Sequence, residues 1–234
     1  MDIEQMHIYF REYAQEMGMQ TVRAILKEDI DVCLNTSIND KVRQIIAENT
    51  VVDSNNKVAR FNTDISELNG LRTLFRRGNI QSISPTGDGK EVNPYKVSIT
   101  NPDVMLYTAF DIAYDDDFIY SCRIVGSDYL GRALRDFCLR PSKESPIINL
   151  ISGENDNSIE CTIYTGYIKH PKPTKLIYDY IKYPAKVFYD EDNDGENNVD
   201  CDLPEYQHID IVRNAVNIWL VSVGATSGSQ RQNN

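Results

Sequence analysis

The chain has 234 residues, enough for one large domain or two small ones with a real core, and 41% of them are hydrophobic against 25% charged. Its 35 acidic and 24 basic residues give a net charge of −11, a poor basis for gripping a phosphate backbone, which needs clustered Lys and Arg. No run reaches the roughly 18 apolar residues of a membrane span. Acidic walls do suit a passage through which a polyanion slides without sticking.

The N-terminus, "MDIEQMHIYFREYAQEMG", is acidic and amphipathic. It reads as neither a signal nor a transit peptide, which predicts a protein made and kept in a cytoplasm. Ile3, Met6, Phe10, Tyr13, Ala14 and Met17 predict one helix face, closed by Gly18. A second helix follows through Ile30, Leu34, Ile38, Val42, Ile45 and Ile46, with Glu28 and Asp29 at its start. Its interior is expected to weaken at "NTS", because Asn, Thr and Ser are poor interior formers. Two antiparallel helices over 1–49 result.

Residues 50–101 read as an extended excursion, polar and rich in turn residues. One short helix is predicted within it, "ISELNGLRTLFRRG", capped by Ser66 and stopped by Gly78. Arg72, Arg76 and Arg77 then form a basic patch at i, i+4 and i+5, suited to salt-bridging another subunit.

Residues 102–190 are β-rich. "VMLYTAFDIAY" and "FIYSCRIV" alternate around a turn at Asp115–Asp117. A short helix is predicted over 127–138, with Ser127 as N-cap and Leu130, Leu134 and Phe137 on one stripe. Three strand-like runs follow, "SPIINLIS", "SIECTIYTG" and "KLIYDYIKYP", with the basic turn "KHPKPTK" between the last two.

Over 191–223 an acidic connection leads into a closing helix, where Asp202, Pro204 and Glu205 match a capping box. Ile209, Val212, Ala215, Val216, Trp219 and Val223 predict one apolar face, with Ile211 and Ile218 on another. A helix with so little polar surface is buried on most sides, by a central position or by a neighbouring subunit. The tail 224–234 is small and polar. The fold class predicted is α+β, a helical module from the two ends of the chain with a β-rich region inserted.

The candidate sites are few. "YDEDNDGENNVDCD" opens like an EF-hand loop at Asp190, Asp192, Asp194 and Gly195, but position 12 is Cys201 where a bidentate Glu is needed. It follows an apparent strand, "PAKVFY", where a helix should stand. A strand-to-helix connection with at most weak cation binding is expected. Asp111 and Asp115–Asp117 lack a phosphate-cradling loop and read as a hairpin turn. His208 has no partner nucleophile and reads as a capping or surface histidine. Cys33, Cys122, Cys138, Cys161 and Cys201 lack disulfide or zinc spacing and read as free, mostly buried thiols. No nucleophile elbow, Walker loop or dinucleotide fingerprint occurs, so no enzyme, cofactor or metal is predicted.

Four stretches carry a resemblance: "VRAILKEDIDVCLNTSINDKVRQIIAEN", "ALRDFCLRPSKESPIINLIS", "KLIYDYIKYPAKV" and "CDLPEYQHIDIVRNAVNIWL". Over about residues 20–223 the chain resembles the head-to-tail connector (adaptor, or ring) proteins of short-tailed phages, most closely those of crAss-like bacteriophages. The last stretch is the most specific. It is similar to the family pattern L-P-x-x-x-H-x-x-I-V-x-x-A-V through Leu203, Pro204, His208, Ile211, Val212, Ala215 and Val216. The excursion departs from the family picture.

The resemblance implies a structural virion protein at the head–tail junction, with no catalytic residues. It implies a homo-oligomeric ring, commonly a dodecamer, joining portal and neighbouring tail proteins around a lumen that passes DNA without binding it. Ile211, Ile218 and Trp219, with Arg72, Arg76 and Arg77, are the candidate subunit-interface residues. Another tail or tail-hub protein of such a phage is the alternative, and a divalent-metal protein using 190–201 is a more distant one.

Overall fold

The computed structural model describes residues 1–17, 25–53, 58–61, 69–81, 83–85, 94–115, 118–153, 158–166, 172–190 and 195–223. The fold is α+β. Among the described residues there are four α-helices: α1 (Ile3–Glu16), α2 (Lys27–Glu48), α3 (Ser127–Arg135) and α4 (His208–Ser222). Two compact units divide the chain, one from Met1–Thr50, Asn62–Leu74 and Pro184–Asn234, the other from Val51–Phe61 and Phe75–Tyr183.

In the first unit α4 packs against both α1 and α2, more extensively than those two pack on each other. The reason is its composition. Ile211, Val212, Ala215, Val216, Trp219 and Leu220 are all buried, a stripe wide enough for two partners. Ile3, Met6, Phe10 and Ala14 are the buried apolar residues of α1, and Phe10 stands edge-on to Trp219 at 6.3 Å. Ile209 and Val223, expected on the apolar face, are exposed at the two ends of α4.

Helix α2 runs unbroken through "NTS" because two of those side chains, Asn35 and Ser37, bond outside it. Asn35 bridges to Val187, donating from Nδ2 to its carbonyl at 3.0 Å and accepting its N–H at 2.9 Å. Thr36 folds back on the Val32 carbonyl, and Ser37 Oγ donates to the Ile211 carbonyl at 2.8 Å. Tertiary hydrogen bonds thus offset weak helix propensity.

The expected capping box does not form. A 3-10 turn, Glu205–Gln207, precedes α4 without a side-chain cap. Asp202 instead accepts from Ala185 N at 3.2 Å, and Glu205 accepts from the Met1 ammonium at 2.9 Å.

The second unit is a β-sandwich. One sheet, in the order β3-β11-β6-β7, is antiparallel and joins β3 (Phe75–Ile80), β11 (Lys175–Lys182), β6 (Val104–Ala113) and β7 (Ile119–Ser121). The other, in the order β4-β5-β10-β9-β8, joins β4 (Ser84–Pro85), β5 (Pro94–Thr100), β10 (Ser158–Tyr164), β9 (Ile147–Ser152) and β8 (Arg123–Ile124). Only its β8–β9 pair is parallel. Strict alternation along β5 turns Tyr95, Val97 and Ile99 inward. They share one apolar cluster with Ile148, Cys161 and Ile163 of their own sheet and Phe110, Ile112, Leu176 and Tyr178 of the other. A separate two-stranded ribbon pairs β1 (Thr50–Asp53) with β2 (Val58–Phe61).

Three expectations are corrected here. Residues 50–101 are no loop excursion, since β3, β4 and β5 pair into both sheets of the sandwich. Of the predicted short helix, the described part is a 3-10 turn, Asn69–Leu74, running straight into β3, while residues 65–68, Ser66 among them, lie outside the described residues. Gly78 is therefore a strand residue: opposite Tyr178 in the register, it leaves room for that ring, which a Cβ would meet at 2.3 Å. Helix α3 ends at Arg135 and is capped by Gly126 without a side-chain bond, because Asn149 Nδ2 donates to Ser127 Oγ at 3.2 Å. Ala133 is its buried residue, whereas Phe137 is 78% exposed beneath the Arg140 guanidinium.

Two outcomes are expected. Gly78→Val should destabilise the sandwich by about 1–3 kcal/mol through overpacking against Tyr178, read as a shifted denaturant midpoint; an unchanged midpoint counts against the register. Burial pushes the Cys161 thiol, ordinarily 9.0, and the Tyr107 phenol, ordinarily 10.0, each up to about 12. These acids are raised in the folded state, so the unfolded chain releases their protons first. Stability should be intact below about pH 9 and fall progressively towards pH 12, followed by denaturation midpoints across that range.

Candidate functional site

The residues expected to meet a neighbouring subunit are mostly occupied within their own chain. Ile211 is 1% and Trp219 8% exposed, covered as α4 packs into its own unit. Of the two explanations for an all-round apolar helix, the central position accounts for both. Ile218 is half-buried. The apolar side chains left exposed on and just after α4 are Ile209, Val221 and Val223.

The arginine patch does not form as a helical row. Arg72 lies on the 3-10 turn, while Arg76 and Arg77 are successive positions of β3 and so point to opposite faces of a sheet. Arg77 grips its cross-strand partner Asp179 with both arms, Nε to Oδ1 at 2.6 Å and Nη2 to Oδ2 at 2.8 Å. That pair holds the Arg77 guanidinium above its ordinary value. Arg76 Nη1 donates to the Phe75 carbonyl.

The acidic stretch is a loop held by its own polar groups. Phe188 and Val199 close it as a bridge, and Gly195 turns it at φ +80°. Asp190 is buried; its Oδ2 accepts from Asn197 Nδ2 at 2.8 Å, and its own N–H donates to Asn198 Oδ1 at 2.8 Å. Asp192 and Asp194 lie outside the described residues. "PAKVFY" forms no strand beyond the Phe188 bridge. Asp200 caps α1, accepting from Ile3 N at 2.8 Å. At the twelfth position, burial pushes the Cys201 thiol up to about 11. Among the described residues no three His, Cys, Asp or Glu side chains are grouped to hold a metal.

His208 is not a surface residue. It is buried, Nε2 lying 2.8 Å from the Leu203 carbonyl and Nδ1 3.1 Å from the Met1 carbonyl, so it ties the chain start to the entry of α4. A second histidine, unremarked in the sequence, does comparable work. His7 Nε2 meets Asp31 Oδ1 at 2.8 Å in the core, and the Tyr189 ring lies 4.8 Å from its own. The signal was available: His7 and Asp31 fall on the apolar stripes of α1 and α2.

The hairpin reading of the aspartates agrees with the β6–β7 pairing, in which Ser121 Oγ donates to Asp111 Oδ1 at 2.7 Å. Asp116 and Asp117, with part of "KHPKPTK", lie outside the described residues. All five cysteines are free; Cys33 and Cys161 are buried and Cys138 is exposed.

Two cavities flank Lys41 in the helical unit. One, about 460 Å³, is lined by Asp40, Asp210 and Asn214 among others; the second, about 400 Å³, lies towards the end of α2 at Asn49 and Gln207. No helix of the described residues is long and apolar enough to cross a membrane. Neither a protein-family model nor a curated protein sequence matches the chain.

With its acceptor role inside the loop, Asp190→Ala should cost about 1–3 kcal/mol of stability. The loss should be the same in EDTA and in millimolar calcium, measured by chemical denaturation. A calcium-dependent gap between wild type and variant would restore a metal role.

Proposed function

We propose that the protein is a structural component of a phage head-to-tail connector, a homo-oligomeric ring between portal and tail that forms part of the conduit for DNA ejection. One observation carries this reading: the residues matching the family pattern form one packing device. Leu203, His208, Ile211, Val212, Ala215 and Val216 are all buried. Pro204 opens the turn into α4, and His208 fastens that turn to the chain start. The residues of the pattern thus belong to a helix packed against two others, which supports reading them as one unit.

Other features favour the same reading. His7 and His208 are sealed in the helical core, poorly placed for general acid–base chemistry on a substrate. Ile8, Tyr9, Val32, Phe188 and Val199 are exposed apolar residues of the helical unit, surface that a lateral neighbour would cover. A net charge of −11 suits a lumen that DNA traverses without adhering. The ring is proposed to be dodecameric, in contact with the portal and adjoining tail proteins.

Light scattering and negative-stain imaging of the protein, alone and with its cognate portal, test this. A closed oligomer in either sample is expected. A strict monomer that ignores the portal would overturn the assignment and leave another tail or tail-hub component.

A further inference from the structure

The net charge of the chain is unevenly divided. Of its 35 acidic and 24 basic residues, 20 and 9 fall in the helical unit and 15 and 15 in the sandwich unit, so the first carries all of the −11 and the second is neutral. Within the neutral unit one surface is basic and aromatic. Arg132, Arg135 and Arg140 are exposed along the end of α3 and the segment after it. Between them in sequence is Phe137, at 78% the most exposed large apolar side chain of the described residues, with the Arg140 guanidinium 4.5 Å from its ring centre. Arg132 lies likewise over the Tyr129 ring, at 5.6 Å. The intervening Asp136 is engaged by the backbone, accepting from Cys138 N at 2.9 Å.

The carbonyl end of a helix attracts cations, which accounts for Arg132 and Arg135 but not for a phenylalanine left open just beyond them. Arginine and aromatic side chains together are the usual anchors of protein interfaces. Their partner must offer carboxylates and apolar area at once. The outer face of α1 offers both. Opposite its buried stripe, Glu4, Ile8, Tyr9, Glu12 and Glu16 recur at helical spacing and all are exposed, Ile8 by 47% and Tyr9 by 40%. Two cations border this face, Arg11 of α1 itself and Arg213 over the Tyr13 ring, and the three carboxylates outnumber them.

We propose that the α3 surface around Phe137 docks on the outer face of α1 in a second copy of the chain. The inference rests on the ring proposed above and names the two surfaces that join its neighbours. Sign decides the pairing. Two α1 faces set against each other would oppose carboxylate to carboxylate, and two α3 surfaces guanidinium to guanidinium. Of the pairings these surfaces allow, only the mixed one matches, and it avoids setting together two helical units that each carry −11. Such a contact is heterologous, so each copy keeps one surface of each kind for the next, as a ring requires. Duplex DNA would satisfy the arginines through its phosphates, yet phosphates give Phe137 no apolar area to bury.

Assembly of the full chain, followed by light scattering alone and with the portal, tests this through charge reversal. Arg135→Glu and Glu12→Arg, both at exposed positions, should each weaken assembly about tenfold while the monomer stays folded by circular dichroism, and the double variant should recover most of that loss. Phe137→Ala should weaken it by about the same factor. Cys138, exposed next to Phe137, gives a second readout. In a Glu12→Cys variant, a bismaleimide should couple the new thiol to Cys138 of the next copy in products longer than dimers, and Cys138→Ser should abolish them. Assembly that ignores both reversals, or coupling that stops at dimers, overturns the pairing and leaves the ring standing. Duplex DNA retained by the wild type and released by Arg135→Glu, or portal binding lost while the ring persists, gives the surface to another partner and overturns the pairing as well. A wild type monomeric in both samples removes the ring and the pairing together.

Discussion

The helical unit depends on the burial of α4 by two partners at once. A helix with one apolar stripe can rest on a surface; one with a stripe this wide must be enclosed. Val212, Ala215 and Val216 are fully buried, and Trp219 reaches the edge of Phe10. The remaining features of the unit hold α1 and α2 in place around that helix. Ser37 bonds the α4 backbone directly, and His7 with Asp31 joins α1 to α2. His208 and Asp200 fasten the start of α1.

This explains the use made of acidic residues. A chain with an excess of carboxylates has acceptors to spare, and in the helical unit several of them take backbone N–H groups that would otherwise be orphaned at helix ends and loop corners. Asp2, Asp200 and Asp202 each do so, and the buried Asp190 carboxylate takes the Asn197 amide. The stretch that most resembles a cation loop is, where described, such a corner. Its resemblance comes from shared requirements: oxygen acceptors converging on a tight turn with a glycine at positive φ.

Periodicity made the helices and most strands of this fold legible. Ile3, Met6 and Phe10 declared α1, alternation declared β6, and the strand-like run "KLIYDYIKYP" declared β11, while β5 lay within the stretch read as an excursion. The misreadings have a common physical origin, which is that a residue's local propensity does not reveal its distant partner. Gly78 looks like a helix stop until Tyr178 is seen opposite it. Asn35 and Ser37 look like helix breakers until the Val187 and Ile211 backbones are found beside them. Of the candidate interface, burial of Ile211 and Trp219 was legible, but what covers them was not. The cavity at Asn49 was invisible in the sequence, because its walls come from residues 41–49, 70 and 206–207.

The helical unit is also discontinuous in the chain. Its first helix is complete by residue 16, while the helix it packs against begins at residue 208. The bonds that tie them, Ile3 to Asp200 and His208 to Met1, span 197 and 207 positions. During synthesis the apolar stripe of α1 therefore leaves the ribosome long before its covering helix exists. Closure of such distant contacts is slow, and the waiting surface is open to wrong associations. The sandwich, whose strands lie within 75–182, can be finished while that stripe still waits. Within the helical unit, α1 gains its main packing partner only once α4 has been translated.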